Sequence, residues 1–192
     1  MKFPYALYYL IVYPFVRLIF PCRFKGRDNI PDGPLIVCAN HSSLLDPVFV
    51  AFAFTSKRQL FFMAKAELFK IPVLKSILSS GGVFPVERGE TDISAIRTAM
   101  RHLKNGEQIM MFPEGTRVSE NEQVAAKSGA VRIATKLNVP ILPVFISTNK
   151  RAFHMSKLVI GKSFYLDSPD GKDFTGLSDT LMTKINELES MI

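Results

Sequence analysis

From residue 35 onward, short uninterrupted apolar runs alternate with longer stretches whose apolar residues recur every three or four positions. Strands joined by helices produce that alternation. The runs predict strands over residues 35–39, 59–64, 82–86, 108–112, 141–146 and 157–160. Several are apolar throughout, as expected of strands in a sheet covered on both faces. The clearest helix is predicted over residues 92–104, with Ile93, Ile96, Met100 and Leu103 on one stripe, Thr91 as its cap and Asn105-Gly106 ending it. A second closes the chain over 178–191. The expected fold class is α/β, a largely parallel central sheet flanked by helices, whose ligands sit beyond the carboxyl ends of the strands.

The amino end follows another pattern. Residues 3–20 read FPYALYYLIVYPFVRLIF, with Arg17 as their one charge, and Arg23, Lys25 and Arg27 follow before the first acid, Asp28. A cleaved leader fits poorly, because no small-residue cleavage site follows the apolar run. A spanning helix needs about 20 apolar residues, whereas the uncharged stretch here is shorter and contains Pro4 and Pro14. Tyr5, Tyr8, Tyr9 and Tyr13 suit a water–lipid boundary, where the ring is buried and the hydroxyl stays wet. The expectation is a short apolar or amphipathic membrane-associating helix lying in one leaflet, with a buried core helix as the alternative. The chain then divides into a membrane-associating segment, 1–22, and a domain, 23–192.

Composition sharpens this picture. Lys plus Arg number 24 against 17 Asp plus Glu, a net charge of +7, beside 47% hydrophobic residues. A disordered tail is excluded. A basic chain with positive mean hydropathy, +0.16, suits a surface that meets anionic lipid or an anionic substrate. Its 192 residues fit one domain. Cys22 and Cys38 cannot staple a small secreted scaffold and show no zinc spacing, which points to a reducing, cytosol-facing location.

The first predicted strand runs into Asn40-His41-Ser42-Ser43-Leu44-Leu45-Asp46-Pro47. On one continuous helix His41 and Asp46 would stand about 140° apart and could not meet. If Asp46 caps a helix that starts at Pro47, the loop folds His41 back toward the carboxylate. A carboxylate on one imidazole nitrogen fixes the tautomer and supports the imidazolium formed when the other takes a proton. On spacing alone, an Asp46 that merely caps and a His41 that merely meets a loop carbonyl serve equally well. The strand at 108–112 runs into Pro113-Glu114-Gly115-Thr116-Arg117, where the glycine permits a tight turn and the guanidinium offers a fork for phosphate. The strand at 82–86 delivers Glu87-Arg88-Gly89 to the same edge. His102, near Arg101 and Lys104, reads as part of a solvated helical face, and His154 carries no role. Basic residues Lys57, Arg58, Lys65, Lys70 and Lys75 offer an extension of the lipid-facing surface, although a solvated basic face serves Lys70 and Lys75 at least as well.

The strings NHSSLLDP at 40–47, GGVFPVERG at 81–89, MFPEGTRVS at 111–119 and VPILPVFI at 139–146 resemble, in order and spacing, the four blocks of the glycerolipid acyltransferase family. The resemblance spans about residues 26–146. It implies that His41 is the general base for the acceptor hydroxyl, that Asp46 orients it, and that Arg88 and Arg117 bind the acceptor phosphate. It further implies that Glu114 and Gly115 shape the acceptor site, and that Lys65 lies near the phosphate. Ser42 and Ser43 are loop residues on this reading, since the acceptor attacks directly and neither lies in a G-x-S-x-G elbow. The implied reaction is transfer of a fatty acyl group from acyl-carrier protein or coenzyme A to the 2-hydroxyl of 1-acylglycerol 3-phosphate (lysophosphatidic acid), giving phosphatidic acid. It needs no metal or bound cofactor, and its setting is the cytoplasmic face of a membrane, with anionic lipids rather than nucleic acid as partners. The same chemistry on glycerol 3-phosphate or another lysophospholipid is the near alternative; a non-catalytic lipid-binding protein is the distant one.

Overall fold

Strand β2 (Leu35–Ala39) sets the architecture, because all five of its residues are buried. Ile36 and Cys38 enter one apolar cluster, while Leu35, Val37 and Ala39 enter a second on the opposite face of the sheet. That two-sided burial is what an unbroken apolar run demands. The computed structural model describes residues 3–55, 58–87, 92–119, 124–166 and 173–192.

Around β2 stand β1 (Cys22–Lys25), β3 (Leu60–Lys65), β4 (Val83–Val86), β5 (Gln108–Met111), β6 (Ile141–Ile146) and β7 (Ser156–Ile160), in the order β1-β7-β6-β2-β5-β3-β4. Every pairing is parallel except β6 with β7. The α/β, largely parallel expectation therefore holds. Six strands stand where the apolar runs place them, within a residue at either end. The exception is β1, which lies in the stretch read as a basic flank of the membrane segment. Its sequence CRFK has no apolar run, and it is recognisable only through its pairing with distant β7. The same basic flank is partly structural: Arg27 donates to the Phe52 carbonyl at 2.9 Å. Arg58 likewise donates to the carbonyls of Ile30 and Pro31, while Lys57 lies outside the described residues.

The helices are α1 (Phe3–Ile19), α2 (Asp46–Phe54), α3 (Pro72–Ser80), α4 (Ile93–Lys104), α5 (Gly129–Leu137) and α6 (Phe174–Glu187). Helix α4 is capped by Asp92, whose carboxylate accepts the Ala95 N–H at 2.9 Å; Thr91, the expected cap, lies outside the described residues. Helix α6 begins four residues earlier than expected, because Asp173 caps it through the Gly176 N–H. Buried residues of α4, α5 and α6 fill one face of the sheet, and those of α2 fill the other.

Helix α1 lies along the α2 side of the domain. Tyr9, Tyr13 and Val16 pack against the core there, with both tyrosine rings edge-on to Phe52, and Tyr5 is buried. These tyrosines, expected at a lipid boundary, thus face the domain, because positions 5, 9 and 13 share one helical stripe. Leu7, Leu10, Ile11, Phe15 and Leu18 stand exposed. The helix is neither fully core nor free of the domain. No helix among the described residues is long and apolar enough to cross a membrane.

Candidate active site

Strand β2 ends at Ala39, and the next side chain continues the sheet. The Asn40 carboxamide donates to the Ile146 carbonyl and accepts the Ile146 N–H, both at 2.8 Å, mimicking a strand pair with β6. His41 is therefore delivered at the carboxyl edge on a fixed backbone. Its N–H donates to Glu114 Oε2 at 2.7 Å, and its carbonyl accepts the Val118 N–H at 2.8 Å, tying the loop after β2 to the loop after β5.

The His41 ring meets Asp46 as anticipated, with Nδ1 at 2.9 Å from Oδ2. Asp46 does so by another route than helix capping. It is the first residue of α2, with Leu45 in the cap position, and its Oδ2 reaches back to accept the Ser42 and Ser43 N–H groups, each at 2.7 Å. The carboxylate thus organises the loop before the helix. Its charge also gains from the helix N-terminus.

Its other oxygen, Oδ1, faces Lys150 Nζ at 2.7 Å, and the ammonium also donates to Ser42 Oγ at 2.9 Å. Lys150 is only 2% exposed and Asp46 1%. Nothing in the sequence marked Lys150, which comes from the connection between β6 and β7. Burial alone pushes the Asp46 carboxyl up, but the His41 ring, the Lys150 charge and the Ser43 N–H outweigh it and hold the group below the ordinary carboxylate value. An ionised acceptor at Nδ1 places the ring proton there, leaving Nε2 with a free lone pair. Among the described residues, no hydrogen bond claims Nε2.

Phe112, read as the last residue of a strand, falls just beyond β5, and its ring stacks on His41 at 3.9 Å and 14°. It fixes the plane of the imidazole. The buried Glu114 carboxyl is pushed up to about 7 by desolvation and the nearby Asp46 charge, against the His41 N–H that favours its ionised form. Gly115 has φ +67°, a left-handed backbone that favours glycine, and the Lys127 side chain lies across the space a Cβ would take. Arg117 is exposed, and no described residue pairs with its guanidinium. Lys65 ends β3 at the same edge, half-exposed and 2.9 Å from Glu67. Arg88 and Gly89 lie outside the described residues, although β4 ends with Val86 paired to Lys65.

The remaining histidines are elsewhere. His102 is not on a solvated face: it stacks on Phe61 at 4.0 Å, and its Nδ1 meets Glu107 Oε2 at 2.6 Å, a partner beyond the helix end that helical spacing could not reveal. His154 is exposed and contacts the Ala152 carbonyl.

A largely parallel α/β sheet carries, at its carboxyl edge, a histidine with a buried carboxylate behind it and an open nitrogen ahead, the arrangement that general-base chemistry needs. The acyltransferase family model matches residues 21–147. The 1-acyl-sn-glycerol-3-phosphate acyltransferase of Bacillus subtilis is 31% identical over 88% of this chain and 89% of its own length. That of Streptococcus pneumoniae is 37% identical over 64% of this chain and 46% of its own length. The crystal structure of the 1-acyl-sn-glycerophosphate (LPA) acyltransferase of Thermotoga maritima superposes with a TM-score of 0.68 at 28% identity, covering 93% of this chain and 76% of that one. The chain belongs to the acyltransferase family.

Proposed function

We propose that the enzyme transfers a fatty acyl group from a thioester, acyl-carrier protein or acyl-coenzyme A, to the 2-hydroxyl of 1-acylglycerol 3-phosphate, yielding phosphatidic acid. The observation that carries this reading is the buried Asp46 carboxylate on His41 Nδ1, with Nε2 unclaimed by any described residue. His41 Nε2 takes the hydroxyl proton as the oxygen attacks the thioester carbonyl. The tetrahedral intermediate collapses, the C–S bond breaks, and the imidazolium returns the proton to the departing thiolate. Asp46 supports the imidazolium between these steps. A thiolate is a good leaving group, so the reaction as written calls on no metal, bound cofactor or enzyme nucleophile. The names of the relatives support the acceptor. Arg117, exposed and without a partner among the described residues, fits its phosphate, and Lys65 ends β3 at the same edge; the resemblance adds Arg88, two residues beyond the end of β4 in the sequence. The enzyme works at the cytoplasmic face of the membrane as a peripheral or monotopic protein, with the exposed side of α1 against lipid.

The test is label transfer from each thioester to lysophosphatidic acid in detergent or liposomes. Wild type is expected to form labelled phosphatidic acid and His41→Ala to form almost none. Turnover on glycerol 3-phosphate or another lysophospholipid but not on lysophosphatidic acid would replace the acceptor; liposome binding without turnover on any of them would reject the enzyme reading.

A further inference from the structure

A cavity of about 420 Å³ opens beside the catalytic loop, lined mainly by Ser42, Ser43, Ser119, Thr148, Asn149 and Arg151. Its volume is in the range of small-molecule sites, and apart from Val118 its wall is polar: hydroxyls, an amide, the Lys150 ammonium and a guanidinium. A fatty chain gains nothing by entering it. Its near wall, Val118 and Ser119, directly follows Arg117, and its far wall lies on the opposite side of the base. In the sheet, β2 lies between β6 and β5. Arg117 and Lys65 come from β5 and β3 on one side of His41, whereas Thr148, Asn149 and Arg151 come from the connection leaving β6 on the other.

Arg151 is exposed at this cavity, and its Nε donates to Asn149 Oδ1 at 3.1 Å. That bond orients the guanidinium and leaves both terminal nitrogens for an anion. The inner wall is Ser42 and Ser43, directly after the base. A ligand lying here would have one end at Arg151 and the other at Ser42 and Ser43, next in the chain to His41, with amide- and hydroxyl-bonding groups between. Resting on the thioester donor proposed above, we infer that this cavity holds the phosphopantetheine arm of the acyl donor, with Arg151 on its phosphate, Asn149 and Thr148 along its amides and its thioester at His41. Coenzyme A and acyl-carrier protein present the same arm, so the site reads what the two donors share.

Arg151→Ser and the cavity-filling Asn149→Trp separate donor from acceptor. With every thioester the enzyme turns over, Arg151→Ser is expected to raise the donor KM about tenfold, the scale of one charge-assisted hydrogen bond, without moving the acceptor KM. An unchanged donor KM, or a rise in the acceptor KM instead, would overturn the inference. So would a rise confined to coenzyme A thioesters where both donors are used, since Arg151 would then read the nucleotide and not the arm. Calorimetric titration with 4′-phosphopantetheine needs no turnover: wild type is expected to bind and Asn149→Trp to lose binding, and failure of wild type to bind overturns the arm site even in an active enzyme. Binding lost in the variant, with no turnover on lysophosphatidic acid, would uphold the arm site and reject the acceptor reading alone.

Discussion

The two halves of the active site are built on opposite terms. The groups that hold His41 in place are paired within the protein: Asp46 accepts from His41, Ser42 and Ser43 on one oxygen and meets Lys150 on the other. At the rim, Arg117 is exposed with no partner among the described residues. The difference follows from what each must do. A proton acceptor works only in one orientation and one tautomer, which the protein alone must impose before substrate arrives. A cation for phosphate finds its partner in the substrate, and a protein partner would have to be displaced first.

The largest effect should come from the paired half. His41→Ala is expected to lower kcat by about 10² to 10⁴, the usual worth of a positioned base, with little change in acceptor KM. A rise in KM with kcat intact would show that the histidine binds rather than reacts, and the contrast between the halves would fail.

Lys150→Met tests whether the pairing is a matter of stability as well as chemistry. It leaves the buried Asp46 carboxylate facing an apolar group, and breaking such a pair from one side costs about 3–5 kcal/mol. Urea denaturation should show that loss. Adding Asp46→Asn removes the orphaned charge, so much of the stability should return while activity stays low, because the imidazolium has lost its support. Additive losses in the double variant would mean that the two groups do not act on each other.

Glu114→Gln probes the seam between the halves, and its effect is smaller. The carboxyl is raised from 4.5 to about 7 on folding, chiefly by burial. Between those values the folded chain holds a proton that the unfolded chain has released, so stability falls as pH rises from about 4.5 to about 7 and is level above. The step is about 3 kcal/mol at most. Glutamine keeps an acceptor for the His41 N–H and removes the titration. The variant should match wild type near pH 5 and exceed it near pH 8 in urea denaturation; a difference independent of pH would show that Glu114 titrates normally.

The same division decides what the sequence could reveal. Strands β2 and β6 are legible to the residue because both are apolar runs buried on two faces. The His41–Asp46 pair was legible as a possibility, since five residues and a proline constrain the loop, but the capping route inferred for Asp46 was mistaken: its acceptors point back into the loop, and the helix already includes it. Lys150 was invisible. It lies over a hundred residues from Ser42, in a polar connection, and only the adjacency of β6 and β2 brings the two together. Phe112 was hidden by its own hydrophobicity, which reads as strand although the residue is a stacking plate for the base. The tyrosines of α1 misled for a related reason: a ring with a hydroxyl suits a lipid boundary and the edge of a core equally well, and the i, i+4 spacing that decided between them has no meaning until something lies alongside.

Arg117 carries the smallest expected effect and the sharpest test of the contrast. Arg117→Ala should raise the acceptor KM about tenfold and leave kcat nearly unchanged, the pattern of a group that binds ground and transition states alike. Arg117→Lys keeps the charge and loses the fork, so it should fall between. Salt supplies the discriminating arm. An exposed cation is screened over about 8 Å at physiological ionic strength, whereas a buried pair is screened far less. Raising salt from about 0.05 to about 0.5 M should therefore raise the acceptor KM of wild type more than that of Arg117→Ala, while kcat, set by His41 and Asp46, stays level in both. A kcat that falls with salt as steeply as KM rises would place the base in reach of solvent ions, and the two halves of the site would then differ in name only.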